Sequence, residues 1–138
     1  MKKILSFTLI LTFWMCIPAF SEQIVIVNSS VTDSSIDEAS LQKIYLGKKT
    51  KWDNGDKIVP VTLDNGPTHD DFLTTFVKKN SSQFSAYWKK QIFTGQGVPP
   101  KSVPSETDVV SFVSSTTGGI GYIDSKTPHE GVKVVPVE

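Results

Sequence analysis

Apolar positions fall in short blocks along the chain, and the blocks change period. Gln23–Val27, "QIVIV", is an unbroken apolar run of the kind that fills a buried parallel strand. The polar stretch "NSSVTDSS" follows as a loop. "SIDEASLQKIYLG" then switches to helical spacing: Leu41, Ile44 and Tyr45 share one face. Ser35 and Glu38 stand at capping-box distance, and Gly47 can supply a left-handed stop. "KKTKWDNGD" is a charged loop with a turn signal at Asn54-Gly55. "KIVPVTL" predicts a second strand, which Pro60 pushes toward an edge or an irregular position.

The second half repeats the alternation. Pro67 suits the first turn of a helix whose apolar stripe is Phe72, Leu73, Phe76 and Val77. "NSSQFSAYWKKQIF" places Phe84, Trp88 and Ile92 four apart behind a cap at Ser81 or Ser82. "TGQGVPPKSVP" is a Gly/Pro loop. "SETDVVSFVSST" predicts a helix with Ser105 and Asp108 at its cap, and "GGIGYI" and "VKVVPV" predict two closing strands. Interleaved strands and helices predict one α/β domain, a small mixed sheet covered by helices. Ile44, Phe76, Trp88 and Phe112, one on each helix stripe, are expected in its core.

The first residues follow a different logic. Lys2 and Lys3 precede an apolar run from Ile4 to Ile17, broken by Pro18, and Ala19–Ser21 offers small residues at a cut. This is the layout of a secretory signal peptide over 1–21, leaving 22–138 as the mature lobe in the periplasm. The run is shorter than the roughly 20 residues of a spanning helix, so a retained anchor is the lesser reading. The single cysteine, Cys16, lies inside this run behind Met15 rather than a small residue, which disfavours lipid attachment. Cleavage would leave no thiol for a disulfide, a nucleophile or a metal.

Charge narrows the partners. The 14 basic residues are all lysine and are matched by 14 acids. A nucleic-acid binder normally shows a basic excess rich in arginine, so that class is excluded. The missing arginine also removes the best bidentate partner for an oxyanion.

Four segments carry a family resemblance. "IYLGKKTKW" at Ile44–Trp52, "KIVPV" at Lys57–Val61, Thr94-Gly95 and "GGIGYI" at Gly118–Ile123 come in the order and spacing of the PstS-type phosphate-binding proteins of ABC transporters. The chain resembles that family over roughly Ile24 to Val137. The resemblance implies a type II periplasmic binding-protein fold. Full members of the family clamp ligand between two lobes, and this chain has the length of one.

The same resemblance points to a loop. Family members read R-S-D-G-S-G-T before the helix that begins here at Pro67. On that alignment Asp64 and Thr68 keep the family residues. Thr62, Gly66 and Pro67 replace an arginine, a serine and a glycine that help hold phosphate, and each change removes a donor. What remains is a helix start, whose dipole is worth roughly 0.3–1 kcal/mol to an exposed anion. The candidate ligand residues are Asp64, Gly66, Thr68 and His69, with Ser29 and Ser30 as a second set after the first strand. Against this stands plain turn and cap chemistry, which uses the same residue types. A protonated His69 would add charge below neutral pH. Lys48, Lys49 and Lys51 make a basic cluster beside Trp52, to be read as a solvated face or as contact for an anionic partner.

No catalytic constellation emerges. His69, Asp70 and Asp71 are consecutive, and neighbours on a helix diverge. With His129 as the only other histidine, no zinc-ligand spacing exists, and no cofactor is expected. The chain is therefore expected not to be an enzyme. The leading expectation is an exported component of ABC-transporter type that binds inorganic phosphate or a related oxyanion weakly, with an ABC permease or another periplasmic protein as the candidate partner. The alternative is a periplasmic protein-interaction or sensing module that has lost the ligand.

Overall fold

The computed structural model describes residues 22–138; the expected signal peptide over 1–21 lies outside the described residues. Five strands form one mixed sheet in the order β3-β2-β4-β1-β5. They are β1 (Gln23–Val27), β2 (Val59–Leu63), β3 (Lys101–Val103), β4 (Gly119–Asp124) and β5 (Lys133–Val135). The helices are α1 (Glu38–Tyr45), α2 (Pro67–Phe72), α3 (Ser81–Phe93) and α4 (Glu106–Ser115). α2 runs on through a π-helical turn, Leu73–Val77, which Lys78 ends at a left-handed φ of 62°.

Strand direction departs from the sequence expectation at one place. β2 pairs parallel with both β3 and β4, but β1 pairs antiparallel with β4 and β5. An unbroken apolar run records burial on both faces and carries no information on direction. β2 is also interior rather than an edge. Pro60 is tolerated because β3 pairs only from Val61 onward, so one side of the strand is open at the proline.

The helices start where short polar side chains can bind backbone N–H groups, though not always at the expected residue. Asp37 caps α1, its carboxylate accepting from Ser40 N–H at 3.0 Å, in place of the expected Ser35. Asn80 and Gln83 form the capping box of α3, one residue before the expected serines. Ser105 caps α4 as expected.

Ile44 and Trp88 are buried as expected, but Phe76 and Phe112 only lean on the core from its edge. The centre is held by Tyr45, Phe72 and Tyr122: Tyr122 stacks on Phe72 at 3.8 Å between centroids, and Tyr45 meets both edge-on. Trp52 is a packing residue, as expected, and its Nε1–H donates to Gly118 O at 2.9 Å. Ile92, expected on the inner stripe of α3, is exposed, as is its neighbour Phe93.

Candidate oxyanion cleft

β2 and β3 run parallel, so their carboxyl ends, Leu63 and Val103, lie side by side. Beyond them opens a cleft of about 300 Å³, lined by Thr62, Asp64, His69, Ser85, Lys89 and Ser102 among others. Crevices at the carboxyl ends of parallel strands are where α/β folds hold ligands. The Asp64 carboxylate accepts a hydrogen bond from Ser102 Oγ, and Asp64 N–H donates to Val103 O at 3.0 Å, so the two strand ends are tied together.

α2 begins directly after this tie. Gly66 turns the chain with φ 105° and ψ 172°, a conformation that favours glycine, and Pro67 enters the first turn. The first bond across the turn runs from Asp70 N–H to Gly66 O at 3.0 Å, so the N–H groups of Thr68 and His69 precede the helix ladder. The turn swings His69 inward, where it is 4% exposed, while Asp70 and Asp71 face solvent. The three side chains do not converge, and among the described residues no cluster of three or more His, Cys, Asp or Glu could hold a metal.

Under the cleft lies a buried polar network. The Tyr122 hydroxyl is 2.5 Å from His69 Nδ1 and 2.7 Å from Thr62 Oγ1, and it accepts from Leu63 N–H at 3.1 Å. Burial pushes the tyrosine up to about 12, so the hydroxyl keeps its proton. Burial also lowers the His69 pKa below its ordinary value, with Asp70 and Asp64 opposing in part, so the imidazole is neutral at pH 7.

One proton assignment gives every donor a short acceptor. Tyr122 accepts from Leu63 and from the Thr62 hydroxyl and donates to His69 Nδ1. The reverse tautomer would send the Thr62 proton to Leu63 O at 3.4 Å. In that assignment His69 carries its proton on Nε2, and the ring lines the cleft. The cleft is thus lined by the His69 imidazole, serine hydroxyls and the cation of Lys89, opposed by the carboxylate of Asp64.

Comparison with solved structures identifies the architecture. An ABC-type phosphate transport receptor from Vibrio cholerae matches with a TM-score of 0.67 at 18% identity, over 85% of this chain and 46% of that one. A PstS from Borrelia burgdorferi matches at 0.64 and 21% identity, over 86% of this chain and 47% of that one. The chain has a PstS-like fold. A chain from Clostridium perfringens, solved with bound phosphate, matches similarly at 0.66 and 20% identity, over 85% of this chain and 45% of that one. This chain thus spans less than half the length of each of these proteins. No protein-family model and no curated protein sequence matches it.

The PstS-like fold brings only part of the expected site together. Asp64 and His69 share the cleft, and Gly66 forms the turn between them. Thr68, adjacent to His69, faces away into a shallow depression with Glu106, Asp124 and Lys126. Ser29 and Ser30 do not join them. β1 runs antiparallel to β4, so its carboxyl end lies at the opposite end of the sheet from Leu63. Ser30 Oγ accepts from Gly118 N–H at 3.2 Å, and Ser29 is exposed.

Sequence reasoning missed the role of Tyr122. The tyrosine was visible in "GGIGYI", but nothing there distinguishes a core ring from one whose hydroxyl orients a histidine. Ser102 and Lys89 were also missed: the parallel β2–β3 pairing brings Ser102 to Asp64, and the packing of α3 brings Lys89 to the same cleft.

Proposed function

We propose that the chain is a single oxyanion-binding lobe of the phosphate-transport type, exported behind a cleaved leader over residues 1–21. It binds a phosphate-class anion weakly and carries out no catalytic step. The observation that carries this reading is the His69 ring, held from below by the Tyr122 hydroxyl and lining a cleft at the carboxyl ends of β2 and β3, in a fold shared with phosphate-binding transport proteins. Affinity is modest because the cleft holds no guanidinium and is open to solvent.

Asp64 gives the site a preference. A carboxylate only accepts hydrogen bonds, so it repels a fully deprotonated anion and tolerates one that keeps an O–H to donate. Hydrogenphosphate has such a group and sulfate does not. The partner completing the cleft would be a second polypeptide, such as a permease or another periplasmic protein. Among the described residues no helix is long and apolar enough to cross a membrane.

One observation favours the second reading, an interaction module without ligand. Ile92 and Phe93 are 55% and 92% exposed, and Ile92 lines the cleft. Calorimetric titration with phosphate and sulfate separates the two: weak binding with phosphate preferred supports the binding lobe, and no heat with either anion supports the interaction module.

A further inference from the structure

The lysines beside Trp52 border a second cavity. It is an apolar groove of about 610 Å³, within the size range of small-molecule sites, on the other side of Trp88 and Pro99 from the oxyanion cleft. Val59, Pro60, Val98 and Phe112 make its walls, and Trp88 closes its floor against Gly47 and Gly97. Every charged residue lining it is a lysine: Lys49, Lys57 and Lys101.

The cations are placed to serve the groove. Lys101 Nζ stands 5.9 Å from the centroid of Phe112, over the apolar wall. Lys49 pairs with Asp53 at 3.9 Å and interacts at longer range with Asp37; the Asp53 carboxylate is 81% exposed, so the pairing neutralises little. Among the described residues no carboxylate forms an ion pair with Lys57 or Lys101. Lys51 is bridged to Lys57 through the backbone, which extends the positive rim into the lysine cluster. Val98, 84% exposed, leaves one wall uncovered.

An apolar trough whose own charged lining is all lysine is complementary to an apolar chain with an anionic head. The geometry points to this groove as a binding site for a free single-chain aliphatic carboxylate, its chain along Val59, Pro60 and Val98 and its head among Lys49, Lys57 and Lys101. The site is separate from the oxyanion cleft and does not depend on it.

The test is calorimetric titration of the protein, expressed from its full sequence, with monomeric decanoate, with decyltrimethylammonium and with phosphatidylglycerol vesicles. Decanoate should bind at least about tenfold more tightly than the cationic amphiphile. Lys57→Gln with Lys101→Gln should weaken decanoate by about tenfold, and so should Val98→Asp, which puts a like charge in the wall. These residues are exposed, and circular dichroism should show all variants folded. Equal affinity for both amphiphiles, or decanoate affinity untouched by the lysine changes, overturns the proposal. So does binding to anionic vesicles with none to decanoate, which assigns the surface to a membrane. Concentration-dependent dimerisation that the Val98 variant abolishes, without decanoate binding, assigns it to a second copy and overturns it equally.

Discussion

The hydroxyl of Tyr122 lies 2.5 Å from Nδ1 of His69, and this contact joins the core of the fold to the floor of its cleft. The same oxygen accepts the N–H of Leu63, the last residue of β2. Tyr122→Phe would keep the ring stacked on Phe72 but leave Leu63 N–H buried without a partner. The expected loss is about 1–3 kcal/mol, read as a lower urea midpoint at unchanged slope. An unshifted midpoint would mean that water replaces the hydroxyl fully.

The depressed pKa of His69 ties stability to pH. Above about 6.5, the ordinary value, His69 is neutral in both folded and unfolded chains and costs nothing. As pH falls below that value, the unfolded chain takes up the proton first, so stability declines toward the lower folded pKa. His69→Gln should flatten that part of the profile relative to the unaltered protein, measured as melting temperature between pH 7.5 and 5. Burial thus lowers the pH at which His69 would bring positive charge to the cleft.

Most elements were legible in the sequence, and the misses have identifiable physical causes. α4 announced itself through Ser105 and the spacing of Val109 and Val113, and α2 through Pro67, because caps and stripes are local signals. β3 was read as loop. Its three residues follow two prolines, and two of them are exposed, so their pairing with β2 is a tertiary fact. The direction of β1 was illegible for the same reason. The site was half legible: Asp64 and His69 stand five apart, across the turn into α2, whereas Tyr122 and Ser102 arrive from distant strands.

The arginine, serine and glycine of the related loop cannot simply be restored. Thr62 is 6% exposed against Tyr122 and His69, so an arginine there would bury a cation beside them. Gly66→Ser would place a side chain at φ 105°, at a cost of about 1–3 kcal/mol. Pro67→Gly is the change the turn accommodates.

Two glycines with similar backbone angles should respond differently to alanine. Gly118 (φ 75°) is buried, and a Cβ there would run into the Lys57 carbonyl oxygen and crowd Trp52. Gly55 (φ 91°) has open space around its would-be Cβ. Gly55→Ala should cost only left-handed strain, about 1–2 kcal/mol. Gly118→Ala should cost more, because Lys57 backbone must move and the Trp52–Gly118 bond with it. Thermal melts of the two variants compare them directly; equal losses would show that the β2–β4 junction yields freely.

If the cleft binds oxyanions as proposed, Asp64 should decide which one it prefers. Its carboxylate shares the cleft with His69, accepts the Ser102 hydroxyl and cannot donate to a ligand at neutral pH. Asp64→Asn keeps an oxygen for Ser102 and removes the charge, at an exposed position where the fold should tolerate it. Sulfate, which the carboxylate repels without compensation, should bind several-fold more tightly to the variant. Hydrogenphosphate loses the acceptor for its O–H along with the repulsion, so its affinity should change less. The ratio of phosphate to sulfate affinity, measured by calorimetry at pH 7.5 and fixed ionic strength, should therefore fall by about tenfold, or 1.4 kcal/mol. An unchanged ratio would place the anion away from Asp64. The backbone N–H groups of the first helical turn, on the Thr68 side, would then be the remaining candidate for any affinity measured.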